Sequence, residues 1–153
     1  MRQKLNTMHK LQELRIWHKA IDIATEVYKA TASFPKEEKY GLTSQIRRSA
    51  VSVPSNIAEG AGRNGDGEFC HFLGISNGSS YELQTQLIIS NRLELINDKI
   101  VEPLLKSIDE IQKMNYKLQE SMRIVSCLTT QYPLPTTQYP IPNTYNNGNK
   151  RKN

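Results

Sequence analysis

Phe34-Pro-Lys-Glu-Glu-Lys-Tyr-Gly-Leu-Thr-Ser-Gln-Ile-Arg-Arg-Ser-Ala-Val-Ser-Val-Pro-Ser-Asn-Ile-Ala-Glu-Gly-Ala-Gly-Arg63 decides how this chain folds. Phe34-Pro35 closes whatever precedes it, because a residue before proline is pushed out of the helical region. From there Leu42, Ile46, Ala50, Val53 and Ile57 recur at steps of three and four, the spacing of one helix face. The spacing predicts a helix over 41–61 with Pro54 inside it, a position that removes one backbone hydrogen bond and tends to kink the axis. Gly60, Gly62, Gly65 and Gly67 read as its stop and a loop onward.

Working outward, three more helices follow from the same periodicity. Over 11–33 the stripe is Leu14, Trp17, Ile21, Ala24, Val27, Tyr28 and Thr31. A third helix runs from Asp66 or Gly67 to Leu95, with Asp66 as N-cap and Phe69, Phe72, Leu73, Ser76, Ser80, Leu83 and Leu87 facing inward. The fourth begins near Asn97 or Asp98 with Pro103 in its first turn, and buries Val101, Leu104, Leu105, Ile108, Ile111, Leu118, Met122 and Val125. No segment alternates with period two. Short connections between long helices favour antiparallel neighbours, so the expected fold is all-α, an up-down-up-down four-helix bundle over 11–127. Residues 1–10 are expected to form a flexible leader.

Beyond Thr130 the composition changes. Gln131-Tyr-Pro-Leu-Pro-Thr-Thr137 is repeated as Gln138-Tyr-Pro-Ile-Pro-Asn-Thr144, and prolines at that density exclude a helix and favour extended polyproline II. Residues 128–153 read as a disordered tail, first proline-rich and then rich in Asn and Lys. The net charge of +5 owes three charges to Lys150, Arg151 and Lys152, leaving +2 for the rest, a weak signal for nucleic acid. No apolar run is long enough for a membrane span, and the N-terminus lacks a signal core, so a cytoplasmic protein is expected. Cys70 and Cys127 fit neither a metal spacing nor a disulfide framework.

Motifs for chemistry fail on context. Gly60-Ala-Gly-Arg-Asn-Gly65 matches the dinucleotide fingerprint in letters, but a helix precedes it and no parallel strand surrounds it. Glu68-Phe-Cys-His71 is a single Glu-x-x-His step, whereas a di-iron bundle needs two and further inward carboxylates. His9 and His18 have no nucleophile at a recognisable spacing, and there is no phosphate-binding loop. Neither a catalytic residue nor a cofactor is expected.

Two helices carry a second face that one bundle does not explain. Opposite Ile46 and Val53 lie Arg48, Ser52, Ser55 and Glu59; opposite Phe69 and Leu87 lie Gly74, Ile75, Gly78, Glu82 and Ile89. Small and apolar residues facing away from a core point to self-association through Ser52, Ser55, Gly74, Ile75, Gly78, Glu82 and Ile89. For a phosphate backbone the candidates are Arg47, Arg48 and Arg63, with Lys19, Lys29, Arg92 and the tail cluster behind them, since a guanidinium donates two hydrogen bonds at once. The same Arg47 and Arg48 could instead pair with Glu59, Glu82 or Glu94, within or between subunits.

The ordered run Tyr40 to Arg63, with Trp17-His-Lys-Ala20, Glu68-Phe-Cys-His-Phe-Leu73 and Gly78-Ser-Ser-Tyr-Glu-Leu83, resembles the four-helix-bundle family of bacterial 23S rRNA intervening-sequence proteins. That family includes the accessory variability determinant of diversity-generating retroelements. The resemblance implies a homo-oligomer, typically a ring of five, with RNA and a reverse transcriptase or another protein encoded nearby as partners. The residues taken alone point to a protein without enzymatic activity. A protein-binding adaptor without nucleic acid is the alternative. Family members often carry Arg where this chain has Asn77 and Glu where it has Gln84, so a family ion pair is expected to be missing here.

Overall fold

In a computed structural model, residues 9–129 of the chain are described, with side chains as far as Arg123. The Gln-Tyr-Pro repeats, Lys150, Arg151 and Lys152, and the side chains of Val125 and Cys127 lie outside the described residues. Four helices form an antiparallel up-down-up-down bundle: α1 (Arg15–Ala30), α2 (Leu42–Ala61), α3 (Asp66–Arg92) and α4 (Asp98–Thr129). Each packs on the next, and α4 closes the ring of contacts against α1. Among the described residues there is no strand.

Inside α2, Ile46, Ala50, Val53 and Ile57 are buried as their spacing requires. Ahead of it, Glu38 Oε2 accepts the Leu42 N–H at 3.1 Å, placing a carboxylate on the positive end of the helix. In α1 the buried stripe is Ile16, Ala20, Ile23, Ala24 and Val27, rotated from the expected one. Trp17 and Leu14 are half-buried, and Ile21 and Tyr28 are exposed. Apolar residues crowd both stripes of α1; the aliphatic set with Ala20 allows closer packing, while Tyr28 keeps its hydroxyl in water. Flanking turns of 3-10 helix at Leu11–Glu13 and Thr31–Ser33 account for the longer helix read from the sequence.

Gly60 is not a stop. It lies inside α2, buried, where a Cβ would stand 2.7 Å from Phe72 Cβ and 2.8 Å from Phe69 Cδ2. The helix ends one residue later, and Gly62 takes the capping position. Small side chains continue this close seam between α2 and α3. Ser49 Oγ donates to Gln86 Oε1 at 2.7 Å, and Ser76 Oγ donates to the Val53 carbonyl at 3.0 Å, just before the buried Pro54.

Gly65, not Asp66, occupies the N-cap position of α3, in extended conformation, and Asp66 is already helical. Phe69, Leu73, Ser76, Ser80, Leu83 and Leu87 are buried, with Phe72 half-buried. The turn into α4 puts Glu94 at a φ of 58°, a left-handed position that glycine usually fills. Asn97 Oδ1 then accepts the Ile100 N–H at 3.1 Å and caps α4. Pro103 falls one turn deeper than expected, after the first turn. On α4, Val101, Leu104, Ile108, Ile111 and Met122 are buried, and Asn115 among them donates its amide to the Leu73 carbonyl at 3.0 Å.

Candidate interaction surface on the second and third helices

The serine seam brings the two outward faces of α2 and α3 side by side. Ser52 Oγ and Ser79 Oγ meet at 2.8 Å, and Arg48 reaches Glu82 at 3.6 Å. Glu82 also accepts from Gln86 Nε2 at 3.0 Å, so the pair is anchored to the buried Ser49–Gln86 bond. Of the seven residues expected at an oligomer interface, Ser55, Gly74, Ile75, Gly78 and Ile89 are exposed. Glu82 is exposed and holds Arg48. Ser52 is turned into the seam and serves the bundle itself. A Cβ on Gly74 or Gly78 would meet nothing within 4 Å. Ile75 and Ile89 are each 42% exposed, about four turns apart along one side of α3. This surface can bury aliphatic area against a flat, close-approaching partner.

The cations expected at phosphate are mostly engaged. Arg47 Nε donates to Thr31 Oγ1 at 2.9 Å, and its guanidinium lies 4.8 Å from the centre of the Tyr28 ring. Arg47 therefore clamps the end of α1 onto α2. Arg63 binds Glu59 at 2.5 Å and lies over Phe72 at 5.0 Å. Lys19 pairs with Glu110 across α1 and α4 at 2.5 Å, and this hydrogen bond and charge hold the Glu110 carboxyl below its usual value. Lys29 pairs with Glu26 on its own helix at 2.7 Å. Arg48, with a side chain 77% exposed, stays accessible despite Glu82. Their partners are spread over the bundle, with Thr31 just after α1, Glu26 on α1, Glu59 on α2, Glu82 on α3 and Glu110 on α4.

Arg47→Met, which keeps the stem and loses the guanidinium contacts, is expected to cost about 2–4 kcal/mol, a hydrogen bond from a charged group plus a cation–π contact. Arg48→Met should stay within about 0.5 kcal/mol, as exposed ion pairs do. Urea melts at one protein concentration check both values.

Elsewhere the motifs have quiet placements. Gly60 to Gly65 is a helix end and loop. His71 is exposed, edge-to-face with Phe72 at 5.6 Å, and among the described residues no three His, Cys, Asp or Glu side chains converge as a metal site. Cys70 is half-buried beside Met122, and burial raises its thiol pKa. Asn77 has no ion pair among the described residues, and Gln84 accepts instead from Gln112 Nε2 at 3.1 Å. His9, expected in a flexible leader, instead binds Asp66 at 3.1 Å and lies against Phe69 with ring centres 4.5 Å apart and planes tilted by 45°. No local pattern around His9 signals that contact, which spans 57 residues.

A family model described as 23S rRNA-intervening sequence protein matches residues 12–117. None of the curated proteins matches the chain. Among solved structures, a protein of unknown function from the S23 ribosomal protein family of Bacteroides thetaiotaomicron is similar, with a TM-score of 0.62 at 22% identity. The similarity covers 69% of this chain and 98% of that one, and at this identity it speaks to the fold alone.

Proposed function

This chain belongs to the 23S rRNA-intervening sequence protein family, and from that premise we propose that it is a non-enzymatic, homo-oligomeric scaffold associated with RNA. The observation that carries the assembly is the joined outer face of α2 and α3, where Ile75, Ile89, Gly74 and Gly78 stand open. Two aliphatic side chains and two glycines in one plane suit a second helix of the same kind better than water. A ring of five is the arrangement the family resemblance implies. In a ring, Arg48 would recur around one axis together with Glu82, and a phosphate would take that carboxylate's place on the exposed guanidinium.

RNA association rests on the family's description together with the exposed Arg48, since Arg47, Arg63 and Lys19 are more deeply engaged within the subunit, while Lys29 is in an exposed pair with Glu26 that leaves it as a secondary contact. Binding of this type reads phosphate and not bases, and falls steeply with salt. Protein purified without nuclease should retain RNA at low salt and shed it between roughly 50 and 200 mM, where several phosphate contacts lose about 10³-fold or more in affinity. Arg48→Ala should release it at lower salt with the particle mass unchanged. Protein that elutes free of RNA at low salt would contradict the RNA role and favour an adaptor that binds only protein.

A further inference from the structure

On its other flank, α3 forms a groove with α4. Two cavities of about 340 and 390 Å³ lie there and share Asn77 and Tyr116. Tyr81 and Tyr116 flank it, 53% and 66% exposed, and neither hydroxyl has a hydrogen-bond partner among the described residues. Gln112 and Gln119 each give one amide hydrogen to a neighbouring glutamine or asparagine, leaving a second to donate. Asn77 Oδ1, where the cavities meet, is buried without a partner.

Charge decides between occupants. The rim carries Lys113, Lys117 and Arg123 against Asp109 and Glu120, and Lys113 is held by Asp109 at 2.6 Å. A nearly balanced rim offers little to a polyanion, whose affinity comes from neutralised phosphates. Paired aromatics with spare donors are instead what a proline-rich strand uses: rings slot between prolines, and donors meet carbonyls that have few internal partners.

This chain carries such a strand. Segment 131–144 contains two Tyr-Pro-x-Pro units and no charged side chain, and it follows α4, which ends at Thr129, six residues past Arg123. Returning from Thr129 to the level of Tyr116 requires about 20 Å at 1.5 Å per helical residue. One seven-residue repeat in polyproline form spans about 22 Å. We propose that segment 131–144 folds back onto the α3–α4 groove of its own copy, with prolines against Tyr81 and Tyr116 and carbonyls accepting from Gln112, Gln119 and the tyrosine hydroxyls. Tethering supplies a local concentration in the millimolar range, enough for an intrinsically weak contact to stay closed. The inference does not depend on the RNA role.

The test uses the full chain with p-benzoylphenylalanine at Lys117 on the rim, photolysed and mapped by mass spectrometry. Crosslinks should fall in 131–144, and in a mixture of light and heavy isotope-labelled protein they should join residues of one copy. Tyr81→Ala with Tyr116→Ala should cut their yield about tenfold, the loss of about 1.4 kcal/mol. Replacing the four prolines of 131–144 by glycine should do the same without altering the bundle's helical content. The photoprobe at Ile21, exposed on α1, should give none. Equal tail labelling from Lys117 and Ile21, links only between copies, or links to co-purified RNA in place of the tail would each overturn the proposal.

Discussion

Ile75→Arg combined with Ile89→Arg is expected to leave a folded monomer in place of the proposed multimer. Each isoleucine is 42% exposed, so covering it at an interface contributes less than half of the about 1.5–3 kcal/mol of full burial, and each guanidinium forced into the same plane adds a desolvation cost of about 1–3 kcal/mol. Together these exceed about 4 kcal/mol per contact, which corresponds to about a thousandfold in dissociation constant. The bundle should tolerate both changes, since each position is already 42% exposed and surface substitutions stay within about 0.5 kcal/mol. Sedimentation velocity with circular dichroism separates the two effects. An unchanged sedimentation coefficient would remove this face from the assembly, and a loss of helix would show that the isoleucines serve the bundle itself.

Gly60→Val carries the second large effect. A Cβ there would stand 2.7 Å from Phe72 Cβ, 2.8 Å from Phe69 Cδ2 and 3.4 Å from Phe69 Cα. None of these atoms is the loose end of a flexible side chain, so α2 and α3 must part. Overpacking of this kind costs about 1–3 kcal/mol, and the two extra methyl groups place valine at the upper end. Gly74→Ala, made in the Ile75→Arg, Ile89→Arg background so that no partner faces it, is the control on α3, where nothing within the subunit lies within 4 Å of an added Cβ. Its helix propensity should stabilise the subunit by up to about 1 kcal/mol. Thermal melts at fixed protein concentration, needed because association shifts the midpoint, should move in opposite directions for the two variants. A neutral Gly60→Val would mean that the seam is looser than its geometry.

These two glycines also mark how far the sequence could be read. Four helices and the α2 core were legible because Ile46, Ala50, Val53 and Ile57 offer one stripe and no competing one. In α1 the residues Ile16, Ala20 and Ile23 compete with Trp17, Ile21 and Tyr28, and only the packing of the other helices decides the rotation. Gly60 reads locally as a breaker, and its use as a contact appears only when Phe69 and Phe72 are brought against it. The open face of α3 was visible in Gly74, Ile75, Gly78 and Ile89, because a helix with a complete inner stripe has no use for a second one. Arg47 was beyond reach: its partners, Thr31 and Tyr28, are set by the angle at which α1 meets α2. The α3–α4 groove was hidden for the same reason, since Tyr81 and Tyr116 are far apart in the chain.

The central claim is that this subunit works as an assembly built on the α2–α3 face. Light scattering coupled to size exclusion on the full chain tests it most directly. A particle of about five times the 17.5 kDa subunit mass, independent of concentration over the micromolar range, is the predicted result. A particle of 17.5 kDa at every concentration would contradict it.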